Sequence, residues 1–354
     1  MNGYDYANAR LRAMKSRLLS RQKLEELSES MHVEDMLSVL MDTPYQRTLG
    51  LELMRIRGIE IIAHALKRDL IDAIDKIRGF FGDAEKQLMD IIFSAYDIHN
   101  IKTILRGLAT DAALPDILSA IVPIGQLTDA VLTELSNAPN PRAAIDLMAT
   151  MQLPEAKPLL DLRAEHPGAG TQEMESALEH WFFDSANNTL SQIADDNSDR
   201  LRSEIAVDAD LINLTTIIRM IQSSAHGEMP ELNLDRMFIK SGHLALRLLE
   251  RAIHQQTLEN AVDVFAGTIY ELPLKSGLNA YHRTSRLSDI EKHLRQFRLR
   301  RRTRLIIQNP LGIGVLLGYL ALKLNEISNI RLIAYGIIVG METNRIHQEL
   351  EFVT

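Results

Sequence analysis

Leu, Ile, Ala and Met recur along this chain at steps of three and four, while the strict apolar–polar alternation of a half-buried strand is scarce. The clearest stretch is Leu88, Ile91, Ile92, Ala95, Ile98, Ile101, Ile104 and Leu105, which lays one apolar stripe along a long amphipathic helix. Equivalent long helices are expected around Asn213 and Asn329. The chain is predicted to be all-α.

Breaks in the pattern fall at Gly107 to Pro115, Pro139 to Pro141 and Ser223 to Pro230, where Pro, Gly, Asp and Ser gather between periodic segments. A further loop is predicted at His166-Pro167-Gly168-Ala169-Gly170, leading into an acidic helix start with Glu173, Glu175 and Glu179. Ser288-Asp289-Ile290-Glu291 has the spacing of a capping box, and Asn309-Pro310 sets a cap residue before a proline that a first helical turn tolerates. The chain is expected to close with two long helices, one from near Pro310 and one from near Ser328. Gly314 and Gly318 on the first, with Gly336 and Gly340 on the second, would let the two backbones cross closely.

A repeat underlies the pattern. An acidic residue is followed three positions later by Asn, then by Ile or Leu, with a further Ile three residues on, in Asp97-Ile98-His99-Asn100-Ile101-Lys102-Thr103-Ile104, Asp210-Leu211-Ile212-Asn213-Leu214-Thr215-Thr216-Ile217 and Glu326-Ile327-Ser328-Asn329-Ile330-Arg331-Leu332-Ile333. The asparagines are 113 and 116 residues apart. An independent marker, Gly125 in Ile121-Val122-Pro123-Ile124-Gly125-Gln126-Leu127 and Gly242 in Phe238-Ile239-Lys240-Ser241-Gly242-His243-Leu244, has a spacing of 117. This period is too long for solenoid units of about 33 to 47 residues, so each copy should be a small helical subdomain. The implied blocks are 1–112, 113–228 and 229–354. Three such subdomains could close around a pseudo-threefold axis or stand in an open row.

Each acid and its Asn share one helix face. They could form a ring of equivalent contacts to a partner, or buried hydrogen-bonding devices that fix local packing. The second reading of Asp97, Asn100, Asp210, Asn213, Glu326 and Asn329 is preferred, because structural repeats preserve architecture before function. Arg106 and Arg219 stand six residues beyond the first two asparagines, where the third copy has Tyr335, and are read as structural charge pairs.

Composition narrows the classes. The 354 residues are 46% apolar and 24% charged, ordinary for a globular chain. A net charge of −8 argues against general nucleic-acid binding, and the absence of cysteine removes disulfides, thiol nucleophiles and thiolate metal sites. No secretory signal is expected, since Arg10, Arg12, Lys15 and Arg17 interrupt the first segment. The apolar run Leu311 to Leu322 falls short of the roughly 20 residues that a span needs, and Lys323, Asn325, Glu326, Asn329 and Arg331 follow it. It and the shorter run Leu332 to Met341 are read as buried helices.

Arg295, Arg298, Arg300, Arg301, Arg302 and Arg304 form the sharpest charge feature. They could meet phosphates, an anionic surface or an acidic partner, or form a solvated face paired with nearby carboxylates. Only Phe297 is interleaved with them, which fits single-stranded nucleic acid poorly. The glycines of Leu311 to Gly318 lack dinucleotide-turn spacing, and there is no GxxxxGK[ST], HExxH or GxSxG. Asp195-Asp196-Asn197-Ser198-Asp199 lacks the glycine and terminal glutamate of an EF-hand loop and is read as a capped turn. No catalytic, cofactor-binding or metal-ligating residue is assigned.

With this repeat, the basic first helix Tyr4-Asp5-Tyr6-Ala7-Asn8-Ala9-Arg10-Leu11-Arg12-Ala13-Met14, the stretch Tyr96 to Lys102, and the closing pattern Asn309-Pro310-Leu311 with Tyr319 to Arg331, the chain resembles the C subunit of archaeal-type rotary ATPases, whose vacuolar-type relative is the d subunit. The resemblance runs end to end. It implies an all-helical pseudo-threefold funnel of three similar subdomains, seated on the cytoplasmic face of the membrane rotor (proteolipid) ring and holding the foot of the central shaft. It further implies a peripheral, non-catalytic coupling part of a proton- or sodium-translocating ATP synthase or ATPase, without a cofactor of its own. Arg10, Arg12, Lys15, Arg298, Arg300, Arg301 and Arg302 are the candidates for contact with shaft or ring. The alternative is a helical scaffold or adaptor that binds a different partner in the same concave surface.

Overall fold

A computed structural model describes residues 3–55, 58, 60–224 and 234–353, and every regular element among them is helical. In chain order the helices are α1 (Gly3–Lys15), α2 (Arg21–Ser28), α3 (Val33–Met41), α4 (Gln46–Leu53), α5 (Glu60–Arg78) and α6 (Asp83–Ala109). Next come α7 (Leu114–Ala120), α8 (Asp129–Ser136), α9 (Pro141–Thr150), α10 (Ala156–Glu165), α11 (Thr171–Ser191) and α12 (Asp196–Ser224). The last are α13 (Leu234–Met237), α14 (Leu246–Ile253), α15 (Leu258–Asp263), α16 (Glu271–Thr284), α17 (Leu287–Gln308), α18 (Gly314–Ile338) and α19 (Thr343–Glu349). They fall into two compact units, one of Met1–Ala144 with Arg302–Thr354, the other of Ile145–Arg301.

The predicted stripe is the buried face of α6, with Leu88, Ile91, Ile92, Ile98, Ile101, Ile104 and Leu105 all in the core. Its breaks also mark real ends. α6 stops at Ala109 and α7 starts at Leu114, with Asp111 adopting a left-handed turn between them. Ser223 and Ser224 end α12, and the rest of the Ser223 to Pro230 break lies outside the described residues. Asp195 accepts the Ser198 N–H at 2.6 Å, so the acidic run starts α12 as a cap. At the start of α11, Glu173 accepts the Gly170 N–H at 2.8 Å.

Two local expectations are corrected. α17 begins at Leu287, so Ser288 lies inside its first turn, and Asp289 instead accepts from Thr284 and Arg286. The predicted pair of closing helices is one helix, α18, which runs unbroken through Ser328. The polar residues that end the apolar run in the sequence include no glycine or proline to break a helix, and Lys323, Glu326 and Asn329 find partners in the core. From Gly314 to Leu320 every residue of α18 is buried, which explains why the run is apolar on all sides. Gly314 and Gly318 admit the end of α17, since a Cβ on Gly318 would lie 2.4 Å from Ile306 Cγ1 and 2.9 Å from the Arg302 carbonyl. Gly336 admits Ile346 of α19 in the same way.

The second unit holds its core between α12, α14, α15, α16 and α17, with Leu214, Ile217, Phe238, Leu249, Ile253, Phe265, Tyr270 and Ile290 at its centre. In the first unit α18 packs against α1, α2, α3, α5 and α19. α1 is fixed by polar contacts as well: the buried Asn8 donates to the Gly312 carbonyl at 3.1 Å, and Arg12 donates to that of Pro310.

Candidate functional site

The three acid–Asn pairs build three clamps of one design. Asn100 donates to the Val122 carbonyl at 2.9 Å and accepts the Val122 N–H at 2.8 Å, so one side chain satisfies both backbone groups of one residue. Asn213 does the same with Ile239, at 2.9 Å for each bond, and Asn329 with Glu351, at 2.8 and 3.0 Å. An amide is the side chain that offers a donor and an acceptor side by side, as a strand neighbour would. A chain segment without regular structure is thereby held against a helix.

One turn earlier, the acid grips the next stretch. Asp97 accepts the N–H groups of Gln126 at 2.6 Å and Leu127 at 3.0 Å. Asp210 accepts those of His243 at 2.9 Å and Leu244 at 3.0 Å, together with the Tyr270 hydroxyl at 2.7 Å. Gly125 and Gly242 precede these loops because nothing larger fits: a Cβ would lie 1.9 Å from Asp97 Oδ1 and 2.0 Å from Asp210 Oδ1.

The third acid takes its loop from the other end of the chain. Glu326 accepts the Leu19 N–H and, at 2.6 Å, the Tyr45 hydroxyl. The match to the second clamp is close: Leu19 and Leu244 precede two short helices (α2 and α3, α14 and α15), each followed by a Thr-x-Tyr turn ending at Tyr45 or Tyr270. In both turns the tyrosine N–H donates to the threonine hydroxyl, at 3.3 and 3.2 Å. Glutamate is one methylene longer than aspartate, so Glu326 reaches its loop without a glycine, and Arg17 stands where the other copies have Gly125 and Gly242. The ends are joined by further contacts, Arg21 over the Phe352 ring at 4.7 Å and Ser28 with His347.

The third clamp alone carries a buried cation. Lys323 Nζ meets Asp69 Oδ2 at 2.7 Å, Glu326 Oε1 at 2.9 Å and the Tyr45 hydroxyl at 2.8 Å. Burial, with the Glu326 and Asp69 charges next, holds the Tyr45 hydroxyl far above its usual pKa. The cluster is therefore a cation, two carboxylates and a neutral phenol.

Burial also pushes the Asp97 carboxyl above the ordinary carboxylate range, against the opposing pull of the Gln126 and Leu127 amides and the Arg78 guanidinium. A carboxyl raised in the folded state contributes stability that is fully present below its unfolded pKa and is lost as pH rises through the folded one. Asp97→Asn keeps the shape but turns an NH₂ toward one of the two amide donors, a loss of about 1–3 kcal/mol at pH 4. The stability gap to wild type is expected to narrow as pH rises from about 4 to 7. Urea midpoints across that range check it, and a widening gap would contradict an upward shift of Asp97.

The arginine cluster divides in two. Arg301 pairs with the buried Glu204 at 2.8 Å and donates to Ser203, and Arg298 lies 3.7 Å from Asp208. Arg302 is half-buried beside α18, while Arg300 and Arg304 are exposed with no ion pair among the described residues. Of the α1 candidates, Arg10 lies over the Phe80 ring at 5.6 Å, Arg12 holds the Pro310 carbonyl, and Lys15 is exposed. Arg219 pairs with Glu291 at 2.8 Å. The sequence offered no sign of Tyr45 as a partner of Lys323 and Glu326, which lie 278 and 281 residues from it.

The described residues contain no cluster of His, Asp and Glu placed to hold a metal, and no helix among them is long and apolar enough to cross a membrane. One cavity of about 430 Å³ lies beside α6, lined by Arg78, Lys86, Asp90 and Phe93 among others, but Arg78 is engaged with the carbonyls of Ile124 and Gly125.

Against known proteins, the chain is 24% identical to the A-type ATP synthase C subunit of Methanococcoides burtonii, across 99% of this chain and 94% of the relative. It is 25% identical to that of Methanosarcina barkeri, across 99% and 93%, and 24% identical to that of Methanocaldococcus jannaschii, across 98% and 86%. A family model described as ATP synthase (C/AC39) subunit matches residues 7–349, and this match, spanning nearly the whole chain including all three acid–Asn pairs, shows that the chain belongs to that family.

Proposed function

We propose that this protein is the non-catalytic central-stalk subunit of an A/V-type rotary ATPase, a socket that couples the central shaft to the membrane rotor ring during proton- or sodium-linked ATP synthesis or hydrolysis. The observation that carries the reading is the clamp used three times in a member of this family: buried, doubly hydrogen-bonded side chains are spent on stiffness, and stiffness is what a torque-bearing part requires. In this reading one helical module is used three times, and the third copy is completed by helices from the start of the chain. The three modules close as a funnel, and the protein sits peripherally on the cytoplasmic face of the membrane.

The exposed cations Arg300 and Lys15 are the contacts proposed for shaft or ring, whereas Arg301 is committed to Glu204. Permanent interfaces of this kind bury more than about 2,000 Å², so single charges at the rim contribute modestly. The test is affinity purification of the tagged chain from host membranes. Stoichiometric recovery of shaft and ring subunits is expected, and recovery with an unrelated partner would favour a scaffold of another system.

A further inference from the structure

The three clamps provide an internal control for the surface of their own helices. Six, nine and ten residues beyond the clamp asparagine, α6 and its cap carry Arg106, Ala109 and Thr110, and α12 carries Arg219, Gln222 and Ser223. At the same places α18 and its cap carry Tyr335, Ile338 and Val339, which are 61%, 52% and 50% exposed. The repeated module folds with hydrophilic or small side chains there, so packing does not require the apolar set. One turn before Tyr335, on the same face, stands Arg331. It is half-buried, has no carboxylate partner among the described residues, and burial alone lowers its pKa.

We infer that Arg331, Tyr335, Ile338 and Val339 form a docking stripe for an amphipathic helix of a neighbouring subunit, whose apolar side chains cover Tyr335, Ile338 and Val339 and whose carboxylate meets Arg331. This rests on the proposed place of the chain in a rotary ATPase. Charge complementarity selects the occupant: a half-desolvated guanidinium beside a tyrosine is the pairing that interface cores favour, and its missing counter-charge is one carboxylate. The stripe follows the i, i+4, i+7, i+8 spacing of one helix ridge, which a facing helix can enter. An anionic lipid surface fits less well, because the patch holds a single cation where lipid surfaces select clusters of them, and its apolar members follow one helix ridge.

The experiment purifies the assembled complex through a tag on this chain, as wild type, as Tyr335→Glu, as Arg331→Glu and as Arg219→Glu, the last being the position on α12 that matches Tyr335. Thermal melts of the isolated variants report whether each is folded. Wild type and Arg219→Glu should recover the other ATPase subunits equally, and both α18 variants should lower that recovery tenfold or more with unchanged melting. A photo-crosslinking residue at position 338 should label an acidic amphipathic helix of another subunit. Undiminished recovery of the folded α18 variants would overturn the inference and leave the assignment to the ATPase intact, as would labelling of a second copy of this chain or of lipid. Failure of the wild type to recover any ATPase subunit would remove both.

Discussion

Lys323→Met is expected to destabilise the first unit by about 3–5 kcal/mol, because it leaves Glu326 and Asp69 facing each other without their cation. Methionine fills nearly the same volume, so a cavity contributes little. Glu326 is the costlier orphan: its side chain is 4% exposed, whereas that of Asp69 is 26% exposed and can be hydrated. Lys323→Met/Glu326→Gln should therefore recover a large part of the loss, with a glutamine whose carbonyl oxygen still accepts the Leu19 N–H and whose NH₂ donates to the Tyr45 hydroxyl. Urea unfolding of the three proteins at constant denaturant slope gives the comparison. A loss below about 1 kcal/mol for the single variant would mean that the cluster is wetter than the geometry shows.

Asp210→Ala is the second large effect, about 3–5 kcal/mol, and it should fall on the other unit. The change strands three donors at once, the His243 and Leu244 amides and the Tyr270 hydroxyl, at a site where Asp210 itself is fully buried. Tyr270→Phe removes one bond and keeps the ring against Phe297, so it should cost only about 1 kcal/mol. Hydrogen exchange offers a local reading: the Leu244 amide should lose protection in Asp210→Ala well before the amides of α12 do. Equal losses in both variants would show that the aspartate is held by Tyr270 alone.

The sequence was most informative where one helix supplied both partners of a pattern. The stripe from Leu88 to Leu105 announced α6, and the threefold acid–Asn spacing announced the clamps, because both depend on positions a turn or so apart, fixed by helix geometry. The same logic misled at the chain's end. Lys323 read as an interruption of an apolar run, when it is buried against Tyr45, and the pattern that marked Glu326 and Asn329 as buried devices gave no sign of the partners they hold. Among the arginines of α17, composition could not separate Arg301, turned to Glu204 97 residues away, from Arg300, which faces solvent.

By itself, then, the order of residues determined helix content, those helix ends that proline and glycine mark, and a polar device copied three times. The tertiary structure decided what each device holds, and that the third closes on the first residues of the chain, through Leu19 and Tyr45. The reason is physical: a periodic stripe states which face of a helix is buried, but a hydrogen-bonding side chain states only that it needs a partner. Which backbone amide arrives there is settled by packing over the whole chain.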